Sequence, residues 1–293
     1  MRALKQPDLC FLASKVFNEL LVGRPESIDG RTLAIMFSAD GKAEIEILQL
    51  TDTHLFSDPQ GVLLGCTTDS SLKRVIERVR TPGYAADLII ATGDLVHDES
   101  RDGYVRLREH LSTFGAPIYA LPGNHDEPHM MAEVYHEGIM RFCDRINIGN
   151  WQIFFLNTFQ TGEVGGAVDP SALAQLRCHL EADPECFALL CMHHHPVPIG
   201  SAWLDSIGIA DANAFNEFVV SHPQIRVVIW GHIHQEWDET RGHARYLGTP
   251  STCFQFAPGL ERMALDHRMP GARRLTLSRN GTIRTQVLRT SVS

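Results

Sequence analysis

A chain of 293 residues, 44% of them hydrophobic, can bury the core of one large α/β domain or of two small ones. Its formal net charge of −9 comes without a basic stripe, which excludes a nucleic-acid polymer as the expected partner. A small anion stays compatible, because bound cations create a local positive field in an acidic protein.

No apolar run reaches the roughly 18 residues of a membrane span, so no membrane partner is expected. The seven cysteines (Cys10, Cys66, Cys143, Cys178, Cys186, Cys191 and Cys253) are scattered and lack a Cys-x-x-Cys pair. They read as reduced thiols of a cytoplasmic protein. Oligomeric state, monomer or dimer, stays open.

Residues 1–40 form a weakly determined N-terminal extension. Within it, residues 9–21 are broken by Ser14, Lys15, Asn18 and Glu19 and read as an amphipathic helix, not a signal peptide. Residues 41–293 are expected to form a single domain. Strand 45–50 alternates, and 70–80 has helical spacing with Leu72, Val75, Ile76 and Val79 on one face. A buried strand over 88–91, a helix over 104–114 and a strand over 117–121 follow. Further along come strand 151–156, helix 171–181, strand 187–192, helix 212–221 and strand 225–230. Residues 274–278 and 282–288 flank Asn280-Gly281, the signal of a two-residue hairpin. Short apolar strands alternating with helices predict an α/β layered fold.

The uncommon polar residues fall at the carboxyl ends of five of these strands: Thr51-Asp52-Thr53-His54, Gly93-Asp94, Gly123-Asn124-His125-Asp126, His193-His194-His195-Pro196 and Gly231-His232-Ile233-His234. Ligands of α/β sheets bind outside the carboxyl ends of strands, so the five loops can converge. Carboxylate, imidazole and amide oxygen suit Mn²⁺, Fe and Zn²⁺, and no thiolate cluster points to a structural zinc. Residues two apart in an extended segment point the same way, so Asp52 with His54, and His232 with His234, can each reach one site. Glycines before Asp94, Asn124 and His232 fit tight turns close to bound ions. Singly, Asp-x-His and Gly-Asp are more often caps or turns. Five such motifs at five strand ends are not.

In this order the motifs resemble the calcineurin-like metallophosphoesterase superfamily over residues 45–250. The resemblance implies two facing β-sheets flanked by helices in a four-layer sandwich, with two metals at one edge, Fe and Mn first and Zn as the alternative. It implies Asp52, His54 and His234 for one metal, Asn124, His193 and His232 for the other, and Asp94 as the bridge. His193 aligns with the family's ligand, with His194 as the fallback. His125 and Asp126 are implied as the catalytic pair, Asp126 orienting His125 by a hydrogen bond.

Residues 49–56, 193–200, 202–205 and 249–253 are most similar to bacterial class III 3′,5′-cyclic-AMP phosphodiesterases. This implies hydrolysis of cyclic AMP to 5′-AMP by a metal-bridging hydroxide, with substrate contacts from His54, Asn124, His125, His234 and Thr252. Gly165-Gly166, Trp203, Leu204 and Cys253 are weaker candidates for the nucleotide pocket. The alternatives are another small phosphodiester (a glycerophosphodiester or a 2′,3′-cyclic nucleotide), a phosphomonoester, or a non-catalytic interaction scaffold.

Overall fold

A computed structural model describes residues 36–37, 42–136 and 138–291; the helix expected over 9–21 lies outside them. In chain order the strands are β1 (Met36–Phe37), β2 (Glu44–Leu50), β3 (Val62–Leu63), β4 (Cys66–Thr67), β5 (Leu88–Thr92), β6 (Ile118–Leu121), β7 (Met140–Arg141), β8 (Arg145–Ile148) and β9 (Trp151–Phe155). There follow β10 (Phe187–Cys191), β11 (Ile225–Trp230), β12 (Trp237–Arg241), β13 (Ala244–Gly248), β14 (Gln255–Phe256), β15 (Leu265–Asp266), β16 (Gly271–Ser278) and β17 (Ile283–Arg289). The helices are α1 (Thr68–Val79), α2 (Arg101–Ser112), α3 (Pro128–Tyr135), α4 (Pro170–Ala182), α5 (Ala202–Asp205) and α6 (Ala212–Ser221).

Two large sheets carry the architecture, in the orders β17-β16-β2-β5-β6-β7 and β1-β8-β9-β10-β11-β13-β12. Strands β2, β5 and β6 run parallel in the first, and β9, β10, β11 and β13 in the second. The sheets face each other through Ile47, Ile90, Tyr119, Ile153, Leu189, Val227 and Leu275. Helices α1, α2 and α3 pack on the outer face of the first sheet, and α4 and α6 on that of the second. The result is the expected four-layer sandwich. Strands covered on both faces are apolar throughout, as β5 and β11 are.

A buried polar tie fixes the sheets together beneath their carboxyl edge. Gln49 Nε2 donates to Thr92 Oγ1 of β5 (3.0 Å) and to the Trp230 carbonyl of β11 (3.2 Å). Thr249 Oγ1 donates back to Gln49 Oε1 at 2.6 Å, and Arg273 Nε donates to Thr249 Oγ1 at 3.0 Å. A satisfied network of this kind orders a core that apolar contacts alone would leave free to slide.

The terminal hairpin forms, with β16 also paired to β2. Its turn differs from expectation. Leu277 faces Ile283, and Ser278 N–H donates to Thr282 O at 3.0 Å, so the loop holds three residues, 279–281. Gly281 takes the left-handed position at φ 82°, the three-residue solution to the same strand twist.

Among the described residues no helix is long and apolar enough to cross a membrane. Cys66, Cys143, Cys186, Cys191 and Cys253 are free thiols, whereas Cys178 is disulfide-bonded, which corrects the reduced reading there. Spacing could not show this, because pairing depends on proximity in the fold. Cys10 lies outside the described residues.

Candidate metal centre

The loops after β2, β5, β6, β10 and β11 meet at one edge of the sandwich because their backbones are stitched together. Asp52 N–H donates to Gly93 O (3.0 Å), His54 N–H to Asp94 O (2.9 Å) and Leu55 N–H to Leu95 O (3.0 Å). Gly231 N–H donates to His193 O at 3.1 Å, and His125 N–H to Asp94 Oδ1 at 2.9 Å. The glycines serve loop-to-loop contact, not only turns. A Cβ on Gly231 would collide with Thr51 Oγ1, and one on Gly123 with the carboxylate and amide of Asp94.

Paired residues converge for a reason other than the extended geometry expected. Asp52 (φ 52°), His54 (43°), Asp94 (50°), His232 (64°) and His234 (48°) all lie in the left-handed region. Among the described residues only Leu64 and Glu99 are further non-glycine cases. Such backbone is sparsely populated and costs on the order of 1–3 kcal/mol per residue, so it persists where the surroundings enforce it. Here the kinks fall at five of the donors that cluster at the strand ends.

The donor atoms crowd together. His54 Nε2 lies 3.3 Å from His234 Nε2 and 3.7 Å from Asp94 Oδ2, while His234 Nε2 is 3.3 Å from Asp52 Oδ1. On the other side of Asp94, Oδ1 lies 3.4 Å from His193 Nε2, which is 3.2 Å from Asn124 Oδ1. Asp52 with His54 and His234, Asp52 with Asp94 and His193, and His193 with His194 and His232 each bring their ligand atoms within 4.8 Å of one another. His232 Nε2 is buried without a hydrogen-bond partner. An orphaned imidazole nitrogen beside carboxylate and amide oxygens is the donor set that a pair of divalent cations would satisfy.

Neighbouring histidines are held differently. His193 Nδ1 meets the Thr92 carbonyl at 2.8 Å, which leaves Nε2 turned to the cluster. His194 has both nitrogens engaged elsewhere, Nδ1 with Thr158 Oγ1 (2.8 Å) and Nε2 with Val164 O (3.1 Å). Burial, and the neighbouring histidines with it, hold His54 and His232 well below the usual imidazole range. For His193 burial pulls down too, but Asp94, and then Asp52, carry it up to about 9. Positive charge is therefore favoured at the point between the two carboxylates.

His125 stands exposed at the lip, its ring 5.1 Å from that of His54. Asp126 does not orient it, contrary to expectation. The Asp126 carboxylate accepts from the amides of Leu95 (3.0 Å), Val96 (3.1 Å) and Gly123 (2.9 Å) and from the Tyr104 hydroxyl (3.1 Å). Adjacent side chains in a tight loop point apart, and the buried one clamps the loop that presents Asp94. Burial and the Asp94 charge push its carboxyl up to about 7 against the pull of those amides. Since each orphaned buried amide costs about 1–3 kcal/mol, Asp126→Ala is expected to lower unfolding free energy by roughly 3 kcal/mol or more. A chemical denaturation curve shifted by less than about 1 kcal/mol would remove the clamp from the account.

Thr252, expected at the substrate pocket, is fully buried behind the Asp52 loop, its N–H on Thr51 O and its carbonyl accepting from Ser71. Cys253 is buried beside it, with Sγ 3.3 Å from Asp52 O. The residues of that segment that reach the site are Phe254 and Phe256, whose rings lie 4.7 and 4.6 Å from that of His234. Trp203 packs edge-on to Phe256 at 4.8 Å, while Leu204 is fully buried. Gly166 is pressed against the His194 ring, with its N–H on Gly208 O at 3.1 Å, so it supports that histidine and presents no open surface. His97, which belongs to none of the five motifs, touches His54, with Nδ1 3.3 Å from Nδ1.

The profile of the calcineurin-like phosphoesterases matches residues 45–236. Over 247 residues the chain is 41% identical to the 3′,5′-cyclic adenosine monophosphate phosphodiesterase CpdA of Pseudomonas aeruginosa, spanning 84% of this chain and 90% of that one. It is 40% identical over 251 residues to the protein of the same name in Escherichia coli (strain K12), spanning 85% and 91%. A dimetal phosphatase from Danio rerio superposes with a TM-score of 0.59 at 12% identity, over 84% of this chain and 99% of that one, a likeness of fold alone. The chain belongs to the calcineurin-like phosphoesterase family.

Proposed function

We propose that this protein is a two-metal phosphodiesterase that hydrolyses 3′,5′-cyclic AMP to 5′-AMP. The observation that carries it is the convergence of seven oxygen and nitrogen donors from five strand ends, with Asp94 at the centre, in a chain similar over most of its length to cyclic-AMP phosphodiesterases. Asp52, His54 and His234 would hold one cation, Asn124, His193 and His232 the other, and Asp94 both. His193 is preferred to His194 because its Nε2 faces Asp94. Oxygen and imidazole donors without thiolate suit Fe, Mn or Zn. Two such cations act as Lewis acids on a phosphoryl oxygen and bring the pKa of water from about 15.7 towards about 7.

The chain's own groups supply the rest. His125, free at the lip, is placed to donate a proton to the leaving 3′ oxygen, a transfer that positioned side chains accelerate. His54, Asn124 and His234 flank the phosphate position. Phe254 and Phe256 form an apolar wall beside it and exclude water. The expected result with Mn²⁺ added is conversion of cyclic AMP to 5′-AMP, abolished by a chelator and restored by metal. The same assay run on 2′,3′-cyclic AMP, a glycerophosphodiester and a phosphomonoester tests the substrate. Release of 3′-AMP, or preference for one of those three, would overturn the assignment.

A further inference from the structure

Of the four histidines assigned to the centre, three differ in what holds the ring nitrogen turned away from it. His193 Nδ1 lies 2.8 Å from the Thr92 carbonyl, and His234 Nδ1 lies 2.9 Å from the Phe254 carbonyl. A carbonyl can only accept, so in the neutral form of each imidazole the proton sits on Nδ1 and the Nε2 lone pair faces the cluster. His54 has no carbonyl there. Its Nδ1 faces His97 Nδ1 at 3.3 Å, while its Nε2 faces His234 and Asp94.

We propose that His97 is the positioning residue of the centre, accepting the His54 Nδ1–H and so keeping the His54 Nε2 lone pair directed at a metal. It rests on the reading of His54 as a ligand. A cation at His54 Nε2 requires the proton on Nδ1, and among the described residues the partner facing that proton is His97 Nδ1, which must then carry its own proton on Nε2. The ring is held for this task. His97 N–H donates to Leu55 O at 2.7 Å, the last rung of the ladder joining the two loops. Its face packs against Phe56 and His125, with centroids 5.2 and 4.8 Å away. His97 thus couples the ligand His54 to the exposed His125 through one half-buried imidazole.

The test is a calorimetric titration of the metal-free, full-length protein with Mn²⁺, which involves no nucleotide and therefore succeeds or fails independently of the cyclic-AMP assignment. Wild type is expected to take two ions. His97→Ala is expected to weaken one of them about 10–100-fold, the effect of removing an outer partner of a ligating histidine, and to leave the other within about threefold. His97→Asn, whose Oδ1 occupies the place of Nδ1 and can accept the same proton, is expected to recover most of the affinity. Two ions bound to the alanine variant as in wild type would overturn the proposal. So would asparagine and alanine variants that lose affinity equally, since the role would then be mere filling of space. A third ion in wild type, lost alone in His97→Ala, would also overturn it, by making His54, His97 and His125 a cation site of their own. Should the alanine variant fail to fold, the asparagine variant settles the matter by the same criterion.

Discussion

Replacing Asp94 with alanine is expected to abolish bound metal and hydrolysis together. The residue is buried, with Oδ2 3.7 Å from His54 Nε2 and Oδ1 3.4 Å from His193 Nε2, so its two oxygens address the two halves of the donor cluster. Oδ1 also accepts the His125 amide at 2.9 Å, which ties the β6 loop to the β5 loop. In the metal-free protein, burial works against ionisation of Asp94, but His193 and His54 win and hold its carboxyl well below the usual carboxylate range. Removing an outer partner of a ligating histidine costs about 10–100-fold in metal affinity; removing a shared ligand should exceed that for both ions. Asp94→Asn, which keeps an acceptor for the His125 amide while losing the charge, separates loop tethering from metal binding. It is expected to melt near wild type yet bind metal as poorly as the alanine variant. Elemental analysis of the purified variants checks this, and two ions retained by either one would remove Asp94 from the bridging role.

The layered fold was legible because its central strands lie in parallel sheets covered on both faces. Such strands appear as short, uninterrupted apolar runs, as at 88–91, 187–192 and 225–230, and their ends differ from the observed ones by a residue or less. Strand β12 was not legible, since Trp237-Asp238-Glu239-Thr240-Arg241 is an edge strand with charged residues on both its exposed and its half-buried face. Strand β8, four residues of mixed character, was hidden in the same way.

The donors of the site stood out because five polar motifs, each ordinary alone, fall at five strand ends. What escaped was anything set by distance in space. His97 carries no local signal, and its partner His54 is fixed beside it only when the β2 and β5 loops pair. The reach of Phe254 and Phe256, and the burial of Thr252 between them and Thr51, follow from which way that segment turns. Asp126 was read from its neighbour in sequence, whereas its partners are the amides of Leu95, Val96 and Gly123 and the Tyr104 hydroxyl. The left-handed kinks at five donors are likewise silent in sequence, because Asp and His tolerate that region without requiring it.

Those same loops separate His125 from the metal-holding residues, and His125→Ala should display the separation. Its hydrogen bond to the centre is made by its backbone amide on Asp94 Oδ1, which alanine preserves, while the exposed imidazole meets the centre by ring contact with His54 and His97. Metal content is therefore expected to stay at the wild-type level. Turnover of cyclic AMP is expected to fall by about 10²–10⁴-fold, the range for loss of a general acid or base. A leaving group that departs without a proton offers the sharper measurement. With bis(p-nitrophenyl) phosphate the nitrophenolate needs no donor, so the same variant should lose far less activity than it does on cyclic AMP, where a poor alkoxide must be protonated as the P–O bond breaks. Equal losses on both substrates would move His125 from proton donor to phosphate binder, and loss of both ions would show that its imidazole, too, is part of the cation site.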